Sequence, residues 1–121
     1  MLNHFTFSKL KFLFILIFLV YGLGIVYFSL FTIAVKVNSF TMVDKVIHLL
    51  VYFLWPFCII FFYKKKSNTI IIFCFTFGII IEFLQIFFNR NFDFFDIFAN
   101  LIGILICYFI FNLSIRIGNV N

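Results

Sequence analysis

The sequence predicts an all-α integral membrane protein, a bundle of four transmembrane helices, and three observations lead there. The first is composition: 66% of the 121 residues are hydrophobic, 25% are aromatic and 11% are charged, with a mean hydropathy of +1.27. A soluble domain of this size has too few polar residues here to cover its apolar surface. The second is segmentation. Four apolar runs, each near the roughly 20 residues that cross a hydrocarbon core, are joined by short polar links, which leaves no room for a separate soluble domain. The third is where the charge lies. The formal net of +5 sits in short cationic clusters flanking apolar runs, as topology signals do. The expected partner is therefore the lipid bilayer and not nucleic acid.

Residues 1–121 read as one domain, with spans near 12–35, 44–63, 69–88 and 93–113. A polar arm with His4, Lys9 and Lys11 precedes the first run. That run exceeds the roughly 7–15 apolar residues of a secretory signal, and it ends in Phe31-Thr32-Ile33-Ala34-Val35-Lys36 without a persuasive cleavage site. An uncleaved first span is expected, with Gly22 and Gly24 permitting close helix approach. Lys36 to Val43 forms a polar link. Thr41 followed by Asp44 has the form of a capping box opening the second span, in which Pro56 is expected to produce a kink. Lys64-Lys65-Lys66-Ser67-Asn68 separates the second and third spans, and Asn89-Arg90-Asn91 forms a tight turn before the fourth.

Four spans place both termini on one side of the membrane. The positive-inside rule predicts that this side is cytoplasmic, since it carries Lys9, Lys11, Lys64, Lys65, Lys66 and Arg116 with no acid. Lys36, Lys45 and Arg90 fall opposite. Every carboxylate then lies in or near the extracytoplasmic half, three of them between Glu82 and Asn100. Such placement is costly, because an ionised group at the centre of a membrane helix is penalised by about 2.5–3.5 kcal/mol.

Depth and helical face point to a shared site. At a rise of about 1.5 Å per residue, Glu82 lies roughly 9 Å, Asn100 roughly 10 Å and His48 roughly 6 Å inside the outer ends of their spans. Asp44, His48 and Tyr52 fall on one face at i, i+4, i+8; Glu82 and Gln85 pair at i, i+3; Asp93, Asp96, Asn100 and Gly103 follow at i, i+3, i+7, i+10. Four carboxylates against Lys45 and Arg90 leave a formal charge of minus two with His48 neutral, so the pocket suits a proton, a cation or a metal.

Simpler readings compete residue by residue. Asp93 and Asp96 start the fourth helix, where acids complement the dipole, although Asp96 and Asn100 lie deeper than capping requires. Arg90 can pair with Asp93 across the turn, and Lys45 can snorkel to the interface. Glu82 and His48 are the pair that a purely structural network explains least well. Cys58, Cys74 and Cys107 read as small apolar fillers, and the 24 phenylalanines as lipid-facing and packing residues. The sequence contains no phosphate-cradling glycine loop and no nucleophile elbow.

The series Asp44-Lys45-x-x-His48-x-x-x-Tyr52, Glu82-x-x-Gln85 and Arg90-x-x-Asp93-x-x-Asp96-x-x-x-Asn100-x-x-Gly103 resembles the VanZ-like family of small bacterial membrane proteins. The namesake of that family is a factor giving low-level resistance to the glycopeptide teicoplanin. The likeness covers about residues 44 to 107. It departs from the usual pattern at Asn89, where a proline often precedes the arginine, at Leu49, where an aromatic often follows the histidine, and at Cys107, where a glycine often closes the last motif. The resemblance implies a cell-envelope setting without supplying a reaction.

Two function classes follow. In the first, a non-enzymatic envelope protein binds a lipid head group, a cell-wall precursor or a glycopeptide in its outer pocket. Its ligand-binding candidates are Asp44, Lys45, His48, Tyr52, Glu82, Gln85, Arg90, Asp93, Asp96 and Asn100, with Lys45 and Arg90 contacting an anion and the carboxylates contacting amines. In the second, a membrane-embedded hydrolase or transferase acts on an envelope lipid or precursor. There Glu82 or His48 serves as general base beside a metal held by Asp44, Asp93 and Asp96. The first is favoured, because no complete catalytic motif is present, and the sequence names no cofactor.

Overall fold

The computed structural model describes residues 4–31, 41–88 and 90–118, with side chains from 7–31, 42–88 and 90–118. Four helices build it: α1 (His4–Phe31), α2 (Thr41–Ile60), α3 (Ser67–Gln85) and α4 (Phe94–Gly118), and no strand occurs among the described residues. Single 3-10 turns, Lys64–Lys66 and Ile86–Phe88, flank α3. A helix satisfies its own backbone hydrogen bonds, which is what a chain surrounded by hydrocarbon requires. Each helix contains a stretch long and apolar enough to cross a membrane, with mean hydropathies of 2.5, 1.7, 2.4 and 2.2 in chain order. The low value belongs to α2, which carries Asp44, Lys45 and His48. The helix α1 starts well before the apolar run it contains, because nothing in Phe7, Ser8, Lys9 and Lys11 opposes helix and Lys11 turns its ammonium over the Tyr63 ring at 4.2 Å.

The burial pattern is the reverse of a soluble protein's. Phe12, Phe28, Phe87, Phe95 and Phe109 face outward, whereas Glu82, Gln85, Asp96 and Asn100 are among the most buried residues. With lipid as the solvent, apolar side chains lose nothing outside, and polar ones are drawn to one another inside.

The helices α2 and α4 share the most extensive contact. Gly103 makes it possible: a Cβ there would overlap the Leu49 carbonyl oxygen and lie 3.0 Å from the Phe53 amide nitrogen. The helix α2 runs on through Pro56, whose ring is buried.

The helix α1 docks on α2 through Trp55. The indole N–H donates to the Phe18 carbonyl at 2.9 Å, the ring stacks on Phe18 at 5.0 Å, and Gly22 admits it, since a Cβ there would come within 2.9 Å of the indole. The Tyr21 hydroxyl adds a bond to the Val51 carbonyl at 3.3 Å. Gly24 behaves differently from its expected role. Nothing lies within 4 Å of where its Cβ would be, so it borders open space and brings no helix closer. The Thr41 capping interaction, most of the Lys36 to Val43 link, Asn89 and the His4 side chain lie outside what is described.

Candidate functional site

The polar residues gather where the start of α2, the end of α3, the α3–α4 link and the start of α4 meet. Lys45 is the hub. Its ammonium donates to Asp93 Oδ2 at 2.5 Å and to Asp96 Oδ1, and it stands 3.8 Å from Asp44 Oδ2. Its one-residue offset from Asp44 on α2 turns it toward α4, so it is an internal counter-ion and not a group snorkelling to the interface.

Asp93 joins three elements. Its Oδ1 accepts from the Phe95 amide at 2.8 Å, capping α4, and its carbonyl accepts from the Asp96 amide at 3.1 Å. Its own N–H donates to Glu82 Oε1 at 3.0 Å, tying the link to α3. The Lys45 ammonium holds the Asp93 carboxyl below its ordinary value; partial burial opposes this, and the Phe95 N–H adds to it. The observed bond of Glu82, only 1% exposed, is thus to backbone.

His48 bridges α2 and α4. Its Nδ1 lies 3.0 Å from Asn100 Oδ1, and because a carbonyl oxygen only accepts, Nδ1 is the donor. Nε2 then faces Asp96 Oδ2 at 3.8 Å. One ligand atom from each of Asp44, His48 and Asp96 lies within 4.8 Å of the other two. A turn further along α2, Tyr52 is 2% exposed and its hydroxyl has no hydrogen-bond partner. Its ring packs where Gly78 leaves space, beside Asn100.

Arg90 reaches in another direction. Its Nη1 donates to the Phe28 and Ser29 carbonyls at 3.2 and 2.9 Å, in the last turn of α1, where a cation complements the helix dipole. Its backbone N–H caps Gln85 at 3.1 Å.

Beside the cluster lies a cavity of about 510 Å³. The helix α1 supplies Tyr21, Gly24, Ile25, Phe28 and Ser29 to its wall, and the rest comes from α2 together with Gln85 and Arg90. Of the residues expected from sequence, Asp44, His48, Tyr52, Gln85 and Arg90 border this cavity, while Lys45, Asp93, Asp96 and Asn100 form the ionic and hydrogen-bonded layer behind it. Glu82 joins through the Asp93 backbone. The α1 wall was not anticipated, although Tyr21, Gly24, Ile25 and Phe28 follow an i, i+3, i+4, i+7 pattern that marks them as one face.

An α-helical multi-pass membrane protein with an ionic cluster at one end of its bundle is the class these features define. Within that class, the chain belongs to the VanZ/LLP1 family, whose profile matches residues 2–115. No curated protein and no solved structure matches the chain.

Proposed function

We propose that this VanZ-family protein works in the bacterial cell envelope by binding the polar head of an amphiphile, a lipid head group or a lipid-linked cell-wall precursor. One observation carries the reading. The cavity of about 510 Å³ has an apolar wall at Gly24, Ile25 and Phe28 and a polar wall at Asp44, His48, Gln85 and Arg90. An acyl chain suits the first wall. The second offers Arg90 to a phosphate and Asp44 to an amine, within one volume of the size that ligand sites usually have. A lipid-bearing glycopeptide has the same division of character, which connects this site to the resistance of the family's namesake.

Filling the cavity tests the reading. Gly24→Leu places a side chain in open space and should leave folding intact while excluding the amphiphile. The expected result is wild-type protein in the membrane, loss of co-purifying lipid by native mass spectrometry, and higher teicoplanin susceptibility. Unchanged lipid occupancy in a folded Gly24→Leu protein would refute the assignment.

The lysine distribution supports an orientation with both termini cytoplasmic and the cavity facing outward. In a cysteine-free background, an impermeant thiol reagent should modify Asn91→Cys and spare Ser67→Cys in intact cells; the opposite pattern would place the cavity on the inner side. A second reading, a metal-assisted hydrolase or transferase acting on an envelope lipid or precursor, is favoured by the proximity of Asp44, His48 and Asp96.

A further inference from the structure

We infer that Asp44, His48 and Asp96 form a binding site for one divalent cation of the zinc type, with an open coordination position on the cavity side. The set differs from the all-oxygen trio expected from sequence, because Lys45 and the Phe95 amide take both oxygens of Asp93, and a histidine nitrogen takes its place.

The hydrogen bonds leave the right atoms free. Asn100 Oδ1 occupies Nδ1 of His48, so the neutral ring presents the Nε2 lone pair, as outer-sphere carbonyls do for metal-binding histidines. Lys45 occupies Asp96 Oδ1 and leaves Oδ2 free. These two free atoms face each other at 3.8 Å, too far for a hydrogen bond. Two ligand atoms each about 2.0–2.2 Å from a tetrahedral zinc stand ~3.4 Å apart, so a few tenths of an ångström of closure suffices. Asp44, at i−4 from His48 on α2, completes a three-ligand set of one nitrogen and two carboxylates. Three protein ligands leave zinc a fourth position, and Asp44 and His48 both border the cavity.

Two further observations point to something bound. Asp44, Asp93 and Asp96 all lie within 4.0 Å of a single ammonium. With His48 neutral, two negative charges remain uncompensated, and a divalent ion cancels them. Independently, Tyr52 borders the same cavity, and its buried hydroxyl has no partner. A buried orphan donor is costly, and a polar guest reaching it from the cavity would satisfy it.

The site depends on neither reading of function, and metal alone is the probe. The full-length protein, purified in detergent and stripped with chelator, is titrated with zinc, desalted and analysed by elemental mass spectrometry. One zinc per chain is expected, and the same in a variant lacking Cys58, Cys74 and Cys107. His48→Asn and Asp44→Asn should each lower affinity at least about tenfold; the Asp44 side chain is 47% exposed, so its replacement does not threaten the fold. Asn100→Asp keeps an acceptor for Nδ1 and should retain the ion. Cobalt substitution should give a visible spectrum that His48→Asn abolishes while the protein stays monodisperse. A wild-type protein that retains no zinc, or zinc bound equally by monodisperse Asp44→Asn and His48→Asn proteins, overturns the inference. Zinc binding that survives Gly24→Leu while lipid is lost would separate this site from the head-group reading.

Discussion

The helix α2 meets α4 on one side and α1 on the other, and the two faces have opposite characters. Toward α4 it packs closely: backbone approaches backbone at Gly103, Lys45 joins Asp93 and Asp96, and His48 joins Asn100. Toward α1 it closes only around Trp55 and Tyr21, and beyond them the helices stand apart around the cavity. Apolar side chains gain little by leaving lipid, so helices in a membrane come together only where small residues or hydrogen-bonding partners draw them. The α4 face has both along its length, and the α1 face has them in one place.

The largest effect should come from breaking the closed face. Gly103→Leu drives a side chain into the Leu49 carbonyl, part of a backbone that cannot rotate away. Overpacking of this kind typically costs about 1–3 kcal/mol, occasionally more. A clear drop in detergent thermal stability and in membrane level is expected, in contrast to Gly24→Leu on the open face. Equal tolerance of both would mean that the two faces do not differ as described.

A smaller effect is expected at the edge of the closed face, where Glu82 receives the Asp93 amide. Glu82→Gln keeps an acceptor oxygen and should fold as wild type. Glu82→Leu leaves that N–H without its partner, at a cost of about 1–3 kcal/mol. Thermal stabilities of the two variants measure the difference, and identical values would remove Glu82 from the account of how α3 is tied to α4.

Much of this arrangement was legible in the chain. Apolar run length marks four membrane-crossing helices, and the spacing of Asp44, His48 and Tyr52 marks one face of α2. The partners were harder to read. Arg90 bonds to carbonyls about sixty positions earlier, and Glu82 bonds to a backbone amide; neither acceptor nor donor has a side-chain signature. Gly22 and Gly24 look equivalent in sequence, yet one admits an indole and the other borders a void. That distinction depends on where a neighbouring helix passes, a tertiary property. Lys45 seemed free to reach the interface because its carboxylates lie at the start of α4, some fifty residues later.

The smallest expected effect concerns acid. Asp93 has a folded-state pKa below its ordinary value of 3.8, chiefly because Lys45 donates to it. A lowered carboxyl pKa contributes stability that is fully present above the ordinary value and is lost as pH falls through the folded value. Wild-type stability should therefore decline more steeply below about pH 4 than that of Asp93→Asn, whose uncharged side chain does not titrate. Parallel thermal-stability curves in the two proteins would show that the Lys45–Asp93 bond contributes nothing to the closed face.

The chain has a single tryptophan, and together with Tyr21 it holds α1 against α2. Its indole is 2% exposed, stacked on Phe18 and bonded to an α1 carbonyl, so its emission is determined by that docking. Any displacement of α1 from α2 would change the polarity and stacking around this one fluorophore. The emission of this one residue is therefore an optical measure of how α1 sits on α2, with no added label.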